Sequence, residues 1–103
     1  MPQYPLNQPV GLPIYKYIST QTTTVVKASA GLLDRVLFWG GANGAVITAY
    51  DNATTGSGTI VFQCTLGAAL NAPIAAIVCD ALFVNGLTIV TSTANPSITV
   101  IAK

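Results

Sequence analysis

Histidine and glutamate are both missing from this chain of 103 residues, and only 7% of its residues are charged. Ordinary soluble domains carry about 25%. Without histidine, no Ser–His–Asp or Cys–His arrangement for nucleophilic catalysis can be built. Cys64 and Cys79 are the only cysteines, and two thiolates without an imidazole fall short of an ordinary zinc site. The carboxylates number three, Asp34, Asp51 and Asp80, and no spacing pairs them for glycoside hydrolysis, so each is read as structural. Asp51-Asn52 ahead of Gly56 and Gly58 lacks the ligand density of a calcium loop and is read as a turn stabilised by Asx hydrogen bonds. There is no P-loop, and Gly40, Gly41 and Gly44 lack the helix that a dinucleotide fingerprint needs. Lys16, Lys27, Arg35 and Lys103 are scattered, so they make no electrostatic footprint for nucleic acid or anionic lipid. The richest apolar run, residues 66–79, is broken by Asn71 and Pro73, well short of the roughly 18–20 residues of a membrane-spanning helix. The N-terminus has neither a basic n-region nor an apolar h-region, and is read as carrying no signal peptide. The expectation is a chain that is not an enzyme and holds no cofactor or metal. With no export signal, both cysteines are expected to be reduced and buried.

What the chain does have is β-sheet grammar. Apolar residues make up 51%, and the chain is rich in Val, Ile and Thr and punctuated by Gly, Asn and Pro. Strands are expected over residues 17–20 and 22–28 (one strand or two), 32–39, 45–50, 59–65, 77–84, 87–93 and 97–102. Residues 66–76 are read as a loop with at most one helical turn, because Gly67 and Pro73 cut it short. Asn85-Gly86 between two β-rich runs predicts a two-residue hairpin turn, which would set Val84 opposite Leu87 and Phe83 opposite Thr88. Seven to eight short strands at regular spacing make an all-β, antiparallel β-sandwich, formed by a single domain over residues 16–103.

Residues 1–15 differ. Prolines at positions 2, 5, 9 and 13 argue against helix and ladder strand alike, while Tyr4, Leu6, Leu12 and Tyr15 are too apolar for a solvated linker. An extended N-terminal arm lying on a surface, the chain's own or a neighbouring subunit's, fits both facts. The strands themselves alternate weakly. Val46, Thr48 and Tyr50 oppose Ala45, Ile47 and Ala49, and Ile98, Val100 and Ala102 oppose Thr99 and Ile101. Two faces this apolar would leave large exposed patches on a monomer, so an obligate oligomer is expected. A second reading places a glycan or receptor contact at Trp39, beside the Gly-rich loop, with Tyr50 on the return strand.

In order along the chain come Thr23-Thr-Val-Val-Lys27, Ala30-Gly-Leu-Leu33, Thr48-Ala-Tyr-Asp-Asn52, Gly58-Thr59, Phe83-Val-Asn-Gly-Leu-Thr-Ile-Val-Thr91 and Ile98-Thr-Val100. Over residues 17–102 this order resembles a group of small virion structural proteins of tailed bacteriophages. The resemblance implies a jelly-roll-like sandwich that decorates or cements a capsid, as a homotrimer. Its partners would be copies of itself and the major capsid or other virion proteins, without nucleic acid or membrane. Its location would be the virion, on the capsid surface, after synthesis in the host cytoplasm, with neck and tail positions left open. No catalytic residue comes with the resemblance.

Overall fold

The computed structural model describes residues 12–41, 43–66 and 75–103. They form eight strands: β1 (Ile14–Ile18), β2 (Thr23–Lys27), β3 (Gly31–Gly41), β4 (Val46–Asp51), β5 (Ile60–Thr65), β6 (Ala75–Phe83), β7 (Leu87–Ser92) and β8 (Pro96–Ala102). β-Branched and aromatic residues fill them, the types that fit a pleated, half-buried surface. Two antiparallel four-stranded sheets result, a front sheet in the order β1-β8-β3-β6 and a back sheet in the order β2-β7-β4-β5.

The pairings follow a simple rule. β1 lies beside β8, β2 beside β7, β3 beside β6 and β4 beside β5. The chain is one long hairpin with its tip between β4 and β5, rolled so that its two arms lie across both sheets. This is the eight-stranded jelly roll, in which every connection except β4–β5 passes from one sheet to the other.

The core lies between the sheets. Leu33, Val36 and Phe38 from β3, Phe83 from β6 and Ile98, Val100 and Ala102 from β8 meet Ile47 and Ala49 from β4 and Leu87 and Ile89 from β7, all buried. β3 pairs on both sides and is irregular against β8 at two places, Leu33/Arg35 and Phe38/Gly40. Asp34 is an extra residue against β8, where Leu33 pairs with Ala102 and Arg35 with Ile101. Opposite it on β6 the register steps from Ala81 to Val78, and Asp80 takes a positive φ of 48°. Such bulges bend a strand and sharpen its twist.

Three expectations are corrected. The Asn85-Gly86 hairpin does not form, because β6 pairs only with β3 in the front sheet, whereas β7 pairs with β2 and β4 in the back sheet. Neither Asn85 nor Gly86 has positive φ. The pair is still a turn, but one that carries the chain across the sandwich. The extended arm does not run to residue 15, since Ile14 and Tyr15 already pair with Ala102 and Ile101. β1 tolerates Pro13 because that proline precedes the first residue of an edge strand. Pro96 opens β8 for the same reason, opposite Gly41. The expected loop at 66–76 gives way to β6 from Ala75, and its residues 67–74 lie outside the described ones.

Candidate binding surface

The two outer faces differ. On the back sheet, register puts Tyr50 and Thr88 side by side with Val25, and Thr48 and Val90 side by side with Thr23. The chain's own loop after β4 folds back over part of this face. Asn52 organises that loop: its side-chain oxygen accepts from the Thr54 and Thr55 amides, each at 2.9 Å, and its amide nitrogen donates to the Ser57 carbonyl at 3.1 Å. This is the Asx turn expected at that position. Thr88 donates from Oγ1 to the Asn52 carbonyl at 2.7 Å. Gly56 lies so close that a Cβ there would collide with Val90 and touch Tyr50. Thr88, which points away from the core, is buried there, and Thr48, also pointing outward and buried, accepts a hydrogen bond from Gln63 Nε2 on β5 at 3.0 Å.

Asp51 fixes the other end of the arrangement. Its carboxylate accepts the backbone N–H groups of Val84 at 2.9 Å, Asn85 at 2.7 Å and Gly86 at 3.4 Å. The N–H bonds from Val84 and Asn85 hold its carboxyl pKa below the ordinary value. The residue that closes the crossover is therefore an acceptor 33 positions upstream of Val84. Nothing in local turn propensity announces it.

The front sheet has no such cover among the described residues. Across the strands, Tyr15, Ile101, Arg35 and Val78 form one row and Tyr17, Thr99, Leu37 and Ala76 the next. Leu32 and Leu82 form a third, and Trp39 lies over Thr99. Tyr15 is 64% exposed, Val78 61% and Trp39 44%. Two polar tips on this face are already engaged: the Tyr17 hydroxyl with Ser97 Oγ at 2.9 Å, and the Trp39 indole N–H donating to Thr99 Oγ1 at 2.8 Å. The Arg35 guanidinium lies 3.7 Å from the Asp34 carboxylate, its neighbour in sequence. What faces outward is broad, apolar and aromatic, with its charge locally balanced.

Of the residues singled out in the sequence, Tyr15 joins this face from β1, and Leu12 is exposed just before it. Tyr4 and Leu6 lie outside the described residues. Trp39 and Tyr50 are not brought together, since they belong to different sheets, and Tyr50 sits under its own loop. The glycan platform built on that pair is thereby corrected. Tyr17 and Val78 were missed, although alternation across β1 and β6 would have placed both on the outer face. Cys64 and Cys79 are free and half-buried rather than fully enclosed, and desolvation raises both thiol pKa values. No family model, curated protein or solved structure matches the chain.

Proposed function

We propose that this protein is a structural subunit, not an enzyme, which assembles with copies of itself through the outer face of the front sheet. The observation that carries this reading is the apolar face of Tyr15, Tyr17, Trp39, Leu37 and Val78, over which no described loop lies, whereas the back sheet is partly capped by its own loop. Four strands about 4.8 Å apart and about seven residues long give on the order of 450 Å² of flat sheet. That is the scale of the centre of a standard interface, which buries about 800 Å² per partner. Aromatic anchors and few charges are the composition of such a centre.

The setting we propose is the bacteriophage virion, where the subunit decorates or cements the capsid. Support for that setting comes from the ordered motifs and, by analogy only, from the jelly-roll architecture, which virion proteins and lectins share. Against a glycan or receptor contact stand the Trp39 and Tyr17 polar tips, which are spent within the protein and offer little to sugar hydroxyls.

Native mass spectrometry at low micromolar concentration tests the reading. The wild type should be a closed oligomer, for which the resemblance implies a trimer. Val78→Asp should be monomeric with an unchanged circular dichroism spectrum. A monomeric wild type overturns self-assembly. Co-sedimentation with capsids tests the virion setting separately, and retention of a sugar by wild type but not by Trp39→Ala would favour the receptor reading.

A further inference from the structure

A second apolar feature lies at one end of the sandwich. Leu82 and Val84 are the most exposed large apolar side chains described, at 76% and 73%, and Leu12 is 60% exposed. Together with Ile14 and Phe83 they line an open cleft of about 920 Å³. Its floor is close-packed: a Cβ at Gly31 would collide with the Lys103 carbonyl and come within 2.9 Å of the Phe83 ring. Lys27 and Lys103 line it too, and no carboxylate side chain does.

We propose that this cleft is the seat of the chain's own residues 1–11. Three observations lead there. Leu12, Pro13 and Ile14 already form one wall, so the cleft adjoins the point where residues 1–11 join the described chain. That segment, Met-Pro-Gln-Tyr-Pro-Leu-Asn-Gln-Pro-Val-Gly, has no charged side chain, and it offers Tyr4, Leu6 and Val10 to an apolar site. At about 3.1 Å per residue, eleven extended residues span about 34 Å, ample to fold back across an opening of this size. A tethered segment also binds at an effective concentration in the millimolar range, which any separate chain must outcompete. The prolines limit the conformations lost on docking. A cleft of this volume falls within the usual range for ligand sites, about 300–1,000 Å³. The arm would thus be used by its own subunit, covering Leu82 and Val84, instead of reaching a neighbour. This does not depend on the self-assembly proposed above.

A nitroxide on Asn7→Cys, in the full chain with Cys64→Ala and Cys79→Ala, tests it by paramagnetic broadening. The expected result is at least a halving of the amide signals of Ala30, Leu82 and Val84, unchanged when the sample is diluted with a tenfold excess of label-free, isotope-free protein. Absence of broadening at those residues overturns the proposal. So does broadening that appears only when spin-labelled and isotope-labelled copies are mixed, which would give the cleft to a neighbour's arm. In case the cysteine-free background does not fold, deletion of residues 2–11 in the native sequence offers a second measurement. Fluorescence of an apolar dye should rise severalfold on deletion, and an unchanged signal overturns the proposal. The native mass of each variant is read in parallel, so loss of the intramolecular contact and loss of self-assembly are told apart.

Discussion

At the residue scale, Gly86 shows how a correct suspicion can rest on the wrong mechanism. An Asn-Gly pair argues for positive φ, yet neither residue has it. Gly86 is needed because a Cβ would stand 2.6 Å from Ala53 Cα and 2.8 Å from the Lys27 carbonyl, both backbone atoms that cannot swing aside. Gly86→Ala should therefore cost about 1–3 kcal/mol, the usual penalty of overpacking, measured as a lower urea midpoint. Asn85→Ala, at an exposed position with negative φ, should fall within about 0.5 kcal/mol of wild type. A tight hairpin turn would have made both changes costly. Asp51 gives the matching pH prediction. Its folded pKa lies below its unfolded one, so its contribution is present above the unfolded value, about 4, and is lost as pH falls through the folded one. Asp51→Asn should unfold at lower urea than wild type at pH 7, and the two curves should converge as pH drops below about 4.

At the scale of elements, strand positions were legible in the sequence except at β1, which begins three residues before its expected start, and strand partners were not. Runs such as Thr23–Lys27 and Leu87–Ser92 are bounded by turn residues, and these local signals place an element within a residue or two. Pairing is decided elsewhere. The Asp51 carboxylate, far upstream, redirects residues 84–86 across the sandwich, and Thr91 ties β7 to the chain entering β2. Thr91 Oγ1 contacts the Thr20 carbonyl at 2.6 Å and the Thr22 carbonyl at 3.2 Å, and the Thr22 amide donates back to it at 2.9 Å. Thr91 is buried, so Thr91→Val leaves polar groups unsatisfied and should cost about 1–3 kcal/mol in thermal or urea unfolding. The loop at 51–58 follows the same lesson. Its polar residues announce a turn, but only Gly56 pressed against Val90 shows that the turn is a cover. Gly56→Val should lift it, lower the melting temperature and increase apolar dye binding. A variant that melts and binds dye like wild type would show that the cover is not needed.

At the scale of the whole molecule, the weak alternation of the strands was the most informative signal, and it was half resolved. The sequence shows that both outer faces are apolar but not which of them the chain buries for itself. The back sheet is partly capped from within and no described residue caps the front sheet, so the search for partners narrows to one face and one end of the sandwich. The two half-buried thiols belong to this scale, because they lie on β5 and β6, edge strands of opposite sheets. Burial raises their pKa values and disfavours the reactive thiolate. Thiol titration at neutral pH should find two slow groups in the folded protein and two fast ones after denaturation. Two fast groups in the folded state would contradict their burial.

The place of β8 also sets a schedule. It lies between β1 and β3, and among the described strands it is the only one with which β1 pairs. β1 is made before β8, so it has no described partner strand until residues 96–102 exist, and the front sheet cannot be completed before then. Contacts this distant in sequence are slow to form, so refolding should take milliseconds to seconds rather than microseconds. A chain halted before β8 would leave the sides of β1 and β3 unpaired, the condition in which strand edges recruit one another.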